Sequence, residues 1–232
     1  MQTVSDLYRQ IYADPLHRKE IKAEIAGVEY GVSNIVSASV SGGIFDKPGI
    51  GNCAARSLEI EVLPIEDIPR QAEIKVYVRL LLNDLASEWI PKGVFFVSQR
   101  QKNKITGAIK FICYDSMLKT EETWLTDEYS DLGWPMSQFE AVADIASRIG
   151  VSVDSRNVYE TAFPVEYPTG ENGDLTMREV LSAIAVSNAG NWVITDAGQL
   201  RLIRFGDIPQ ETNYLVSQNG NAIKFGGVRI IV

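Results

Sequence analysis

Apolar and polar residues alternate with a period of two along the first half of the chain. Ile21, Ala23 and Ile25 alternate with Lys22 and Glu24. Leu58, Ile60 and Val62 alternate with Glu59 and Glu61, and Ile74, Val76, Val78 and Leu80 with Lys75, Tyr77 and Arg79. Ile109, Phe111 and Cys113 alternate with Lys110, Ile112 and Tyr114. Successive side chains of a strand point to opposite faces, so each segment predicts a strand with one buried face. The segment 35–44, rich in Val, Ile and Ser, and the run Val94-Phe95-Phe96-Val97 complete the series. Strands at this density between residues 20 and 115 predict an antiparallel barrel or sandwich. A short amphipathic helix over 5–13 precedes them, with Leu7, Ile11 and Tyr8 or Tyr12 on one face, and Asp14-Pro15 ends it. Outward Glu59 and Glu61 complement outward Lys75 and Arg79. The expectation is that these two strands pair antiparallel, with cross-strand charge pairs worth up to ~1 kcal/mol each.

From about residue 126 the period becomes helical. Ser137-Gln138-Phe139-Glu140 has capping-box spacing, and Phe139, Val142, Ala146 and Ile149 follow on one predicted face, with Gly150 as the stop. Thr176-Met177-Arg178-Glu179 repeats the device ahead of Val180, Leu181, Ile184 and Ala185, and Asn188-Ala189-Gly190 ends this second helix. A hairpin is predicted from 191–195, the turn Asp196-Ala197-Gly198, and 199–205. The stretch 160–174, with Pro164, Pro168, Gly170 and Gly173, reads as a long surface loop. Asp207-Ile208-Pro209 reads as a linker. Asn219-Gly220 between 214–217 and 222–225 signals another hairpin. The last residues, Val228 to Val232, read as an apolar strand, which predicts a fragment of a longer protein or a strand paired with a neighbour. The reading is an α+β, mainly β chain: an antiparallel split β-barrel with a short N-terminal helix over 1–125, a small α+β domain over 126–206, and a partial, truncated second barrel over 207–232.

Composition narrows the function. Apolar residues are 45% and charged residues 22% of 232, which excludes disorder, collagen and coiled coil. The net charge of −8 argues against general nucleic-acid or anionic-membrane binding. No apolar stretch approaches the ~20 residues of a spanning helix. The start, MQTVSDLYRQ, lacks the basic and apolar regions of a secretory signal. Cys53 and Cys113 form no CxxC and read as buried free thiols, which fits synthesis in a reducing cytoplasm. The one histidine, His17, sits in the linker Asp14-Pro15-Leu16-His17-Arg18. Nothing beside it supports a nucleophilic set or a zinc site.

Candidate chemistry is sparse. Gly49-Ile50-Gly51-Asn52-Cys53-Ala54 matches GxGxxA, but Pro48 precedes it and a strand follows, so a glycine-rich loop between strands is the better reading. Glu121-Glu122 and Asp127, Glu128 and Asp131 lack a calcium-loop pattern and read as solvated turns. Arg100, Lys102 and Lys104, with Lys110 nearby, form a local basic patch in an acidic chain. Spaced by two, the first three project on one side of an extended hairpin arm and suit a salt-bridging rim to an acidic partner. Trp192 reads as core, whereas Trp124 and Trp134 flank the domain junction and are candidate interface residues.

Several segments in order carry a resemblance. Ser87-Glu88-Trp89-Ile90-Pro91-Lys92-Gly93-Val94-Phe95-Phe96-Val97 is followed by Lys104-Ile105-Thr106-Gly107 and by Ile112-Cys113-Tyr114-Asp115-Ser116-Met117-Leu118-Lys119. These resemble the first barrel of baseplate hub proteins of bacteriophage tails, prophages and phage-tail-like particles. The stretch from Leu175 to Leu181, then Gly190-Asn191 and Asp196 to Leu200, resembles the α+β insertion of that family. The resemblance spans most of 18–232. It implies a structural, non-enzymatic protein of the virion tail, made in the bacterial host cytoplasm, without membrane or nucleic-acid partners. Such hubs form a homotrimeric ring of two related barrels per subunit, between the tail tube or distal tail protein and a central spike or tip. Only one barrel is complete here. No catalytic, cofactor or metal residue carries over. The candidate partner-interface residues are Arg100, Lys102, Lys104, Trp124 and Trp134. The rival readings are a carbohydrate-binding or adhesion module of a tail tip and a tail-associated cell-wall hydrolase.

Overall fold

The structure, a computed structural model, describes residues 4–43, 49–124, 133–159, 162–166 and 175–205, with the backbone of 224–225 and 228–229. Ser5 caps the first helix, α1 (Asp6–Ala13), by accepting from the Tyr8 amide, and extended Asp14 ends it. Its one buried residue is Ile11, and the helix packs against the fifth strand.

The alternating segments form β1 (Arg18–Ile25), β2 (Val28–Tyr30), β3 (Ile35–Ser41), β4 (Ser57–Val62), β5 (Glu73–Leu82), β6 (Leu85–Ala86), β7 (Ile90–Lys102) and β8 (Ile109–Tyr114). They make one antiparallel sheet of eight strands in the order β2-β1-β5-β7-β8-β4-β3, with β6 on the end of β5. The sheet curls until β1 approaches β3 without pairing with it, a split half-barrel. Its inner face buries Ala23, Leu58, Ile60, Ile74, Val76, Phe95, Phe111 and Cys113. The fold class is α+β, mainly β.

The charge-guided pairing fails. β4 pairs with β3 and β8, and β5 with β1 and β7, so Glu59 and Glu61 never face Lys75 and Arg79. The charges are matched by other neighbours. Lys75 stands opposite Glu24 and Arg79 opposite Glu20, and both pairs form salt bridges. Glu59 takes Lys110 of β8 at 2.7 Å. Outward charge of either sign occurs on several strands, and pair energies of ~1 kcal/mol or less do not choose among them. Strand order follows the buried faces and the connections.

A 3-10 helix (Ser116–Glu121), capped by the Asp115 carboxylate, leads out of the sheet. Then come α2 (Gln138–Ile149), β9 (Ser152–Val153), α3 (Met177–Ser187), β10 (Gly190–Ile194) and β11 (Gln199–Arg204). Both capping boxes are complete. Ser137 and Thr176 accept from the amides of Glu140 and Glu179, and each glutamate accepts in return from the cap amide. Gly150 ends α2 in the left-handed region at φ 74°. β10 and β11 form the expected hairpin, and β9 adds to β11 in parallel. The helices and hairpin enclose a second buried cluster around Trp124, Val142, Leu181 and Trp192.

One helical residue departs from expectation. Phe139 is 60% exposed, and α2 instead buries Gln138, Ala141, Val142, Ile145, Ala146 and Ile149. Val142, Ala146 and Ile149 belong to both candidate stripes, so the apolar pattern left the rotation open. Polar contacts decide it. Gln138 donates to the Phe163 carbonyl at 2.8 Å and accepts from Asn188 at 2.7 Å. Both cysteines are free and buried, and burial pushes the Cys113 thiol up to about 12. Near the end, β12 (Lys224–Phe225) pairs antiparallel with β13 (Val228–Arg229). The Asn219-Gly220 turn, the 214–217 strand, the linker at 207–209 and the acidic Asp127, Glu128 and Asp131 lie outside the described residues.

Burial separates two phenylalanines. Phe111, with no exposed surface, is expected to cost about 3–5 kcal/mol as Phe111→Ala. Phe139→Ala is expected to stay within about 0.5 kcal/mol. Urea unfolding of both variants checks the contrast.

Candidate functional site

The junction between sheet and helical unit is built on Arg56. It lies in the short connection from the Gly49–Ala55 loop into β4, and its amide and Nε both reach Oδ2 of Asp115, at 3.2 and 3.4 Å. Asp115 directly follows β8, has no exposed side-chain surface, and accepts from the Met117 amide to cap the 3-10 helix. Burial pushes its carboxyl above the ordinary value, opposed by the Arg56 amide and charge. The far end of the guanidinium donates to Asp196 in the β10–β11 turn and to the Thr195 carbonyl. Its Cζ lies 5.7 Å from the Phe95 ring centre. Gly93 makes room: a Cβ there would come within 2.7 Å of Arg56 Nη2 and 2.9 Å of the Phe95 ring. Its φ of 132° disfavours other residues as well.

The glycine-rich loop docks on the same unit. Trp192 donates its amide to Asn52, Gly51 to Gly190, and Asn52 to the Asn191 side chain, all within 2.9 Å. Cys53 forms a parallel bridge with Trp192. The loop therefore acts as a short extra strand and opens no helix, unlike the glycine-rich turn of a dinucleotide fold. Arg56, Arg156, Arg201 and Asp196 line an adjoining recess of about 330 Å³. Its arginines are largely committed, Arg56 to Asp115 and Asp196, and Arg156 to the buried Asp154.

The basic hairpin arm has a different character. β7 is 13 residues long, and its last five are exposed. A bulge between Val97 and Gln99 shifts the register, so Arg100 stands opposite Phe111 and Lys102 opposite Ile109. Residues directly opposite share a face. The extra residue thus turns Arg100 and Lys102 to the inner face of the sheet, while Lys110 lies outside with Glu59. Arg100 donates to the Ile68 carbonyl at 2.8 Å. Arg70, which the sequence pattern did not single out, joins Arg100 and Lys102 around an open recess of about 520 Å³. Lys104 sits apart in the turn.

The two tryptophans differ. Trp124 is fully buried and donates to Asp144 at 2.8 Å, so it packs in the core. Half-buried Trp134 packs edge-on against it, with ring centres 5.8 Å apart. Trp124 also forms the floor of an apolar groove of about 560 Å³, bounded by Gln138, Phe163, Val180 and Ile184. On the outer face of the sheet, Trp89 is held under Arg79 at 4.5 Å and Lys22 at 5.0 Å. His17 stands in the linker, against Tyr12 and the Asp14 carbonyl. No group of three or more His, Cys, Asp and Glu side chains suited to a metal occurs among the described residues.

No protein-family model and no curated protein matches the chain. Its fold matches solved structures. One is the 43 kDa tail protein of prophage MuSo2 from Shewanella oneidensis, at 14% identity and a TM-score of 0.54, over 81% of this chain and 56% of that one. Another is a tail protein from Neisseria meningitidis MC58, at 10% identity and a TM-score of 0.50, over 88% of this chain and 53% of that one. The chain spans about half the length of these proteins. At such identities the likeness shows a shared fold.

Asp154 gives a pH test of the junction's rim. Bonding to Arg156 holds its carboxyl at about 2, below the ordinary 3.8. A depressed carboxyl stabilises the fold above the unfolded value, and the contribution is lost as pH falls toward about 2. Asp154→Asn is therefore expected to lower stability at pH 6 and to narrow its gap to the parent between about pH 4 and 2. Urea midpoints across that range measure it.

Proposed function

We propose that this chain is a structural component of a phage or prophage tail, a baseplate hub adaptor that joins the tail tube to the central spike or tip complex. The observation that carries the reading is architectural. A curled antiparallel sheet is followed by a capped helical unit and hairpin, in the order of the hub-like motifs, and that arrangement is shared with a prophage tail protein at a TM-score of 0.54. The motif residues have structural work that suits such a part. Gly93 admits Arg56, Trp89 lies under two cations, and Asp115 caps the turn out of the sheet. A part under mechanical load benefits from these ties, and it needs no activated nucleophile.

The partners follow from the same reading. The longer protein of this type forms a homotrimeric ring with the distal end of the tube on one side and the spike on the other. A closed ring uses a heterologous interface, with unlike patches meeting around the axis. The edges left unpaired among the described residues, β3 and the start of β1, suit such contacts.

Two measurements test this. Gold-labelled antibody against the chain is expected on the distal end of purified tail particles. Label on the head or along the shaft, or its absence from purified tails, refutes the hub. Light scattering is expected to give a trimer, and a monomer at all concentrations refutes ring formation in solution.

A further inference from the structure

Arg70, Arg100 and Lys102 converge on one recess from two segments, the loop before β5 and the end of β7. The other lining residues are Val97 and Ser98, so no carboxylate shares the wall. None of the three cations has an ion-pair partner among the described residues; Lys110 on the outer face, by contrast, pairs with Glu59. Glu66 and Asp67, just upstream of Arg70, form no pair with them. In a chain with eight more acidic than basic residues, an unneutralised cluster is notable. Arg100 spends one guanidinium nitrogen on the Ile68 carbonyl, which fixes the head at the recess. The bulge that turns Arg100 and Lys102 inward costs a ladder position.

We infer that this recess receives an acidic segment of a partner protein, with carboxylates bound by Arg70, Arg100 and Lys102. Guanidinium forks match carboxylates in two-point geometry, and Lys102 adds a point charge. The net charge of −8 sets the scale of the ligand. A long polyanion such as nucleic acid meets repulsion from the rest of the surface, while a short acidic segment touches only the patch. The site differs from the basic patch legible in the sequence: Arg70 enters it and Lys104 does not line it. It deepens the structural reading above, on which the existence of a protein partner rests.

The test uses the full chain and a fluorescein-labelled oligoglutamate peptide, followed by anisotropy at low salt, with oligoglutamine as the neutral control. Saturable binding to oligoglutamate alone is expected, weakening as salt rises. Arg70→Ala removes no hydrogen bond among the described residues and is expected to weaken binding about fivefold. Arg70→Glu is expected to abolish it, and Lys110→Ala on the outer face to leave it unchanged. Equal binding of oligoglutamine, or full binding by Arg70→Glu, overturns the site. Displacement by inorganic phosphate at lower concentration than by unlabelled oligoglutamate overturns the carboxylate assignment. Self-association of the chain that Arg70→Glu abolishes overturns it in favour of a second copy. A failed peptide result leaves the gold labelling of tails untouched, so the two readings fail separately.

Discussion

The structure depends on one buried carboxylate and the arginine that answers it. Asp115 lies at the end of the last sheet strand with no contact with solvent. A charge in that position is costly unless it is paired and hydrogen-bonded, and losing one partner of such a pair costs about 3–5 kcal/mol. Arg56 supplies both its amide and its guanidinium, and then reaches on to Asp196 and Thr195 in the second unit. A single side chain thereby ties the end of the half-barrel to the hairpin. The tie constrains its surroundings: the space at Gly93, the Phe95 ring beneath the guanidinium and the cap of the 3-10 helix all follow from it.

The two halves are joined by more than that pair. The glycine-rich loop runs along β10 as an extra strand, and Cys53 packs within the core of the helical unit. Backbone hydrogen bonds, an ionic link and shared apolar packing act in parallel here. Such a junction resists bending more than any one of them would.

Among the described residues, the sheet by contrast leaves two edges unpaired. β3 is an end strand without a charged residue, and the first half of β1 has no partner on its free side among the described residues. Unpaired edges invite other chains. The long arm of β7 and β8 extends this open surface and carries the inward cations. The two tail-protein structures show that the same fold occurs in proteins about twice as long.

Much was legible in the residues themselves. Period-two alternation located the long strands, because one face of each is buried along its whole length. The capping boxes marked both helices, because cap chemistry is local and needs only residues three apart. Cys113, Trp192 and the β10–β11 hairpin were equally plain. What the sequence could not decide were choices among equivalent partners. Glu59 and Lys75 each had several strands of complementary charge, and only the three-dimensional strand order assigned them. Phe139 lost its place in the core because the Gln138 amide met Asn188, a residue fifty positions away. Trp124 was drawn into the core by the same long-range packing. The Arg56–Asp115–Asp196 link joins residues up to 140 positions apart, and Arg70 meets Arg100 only after a one-residue bulge turns β7. Local pattern determines which elements form, since their hydrogen bonds and periodicity lie within a few residues; which faces meet, and which charges find each other, is decided by packing across the whole chain.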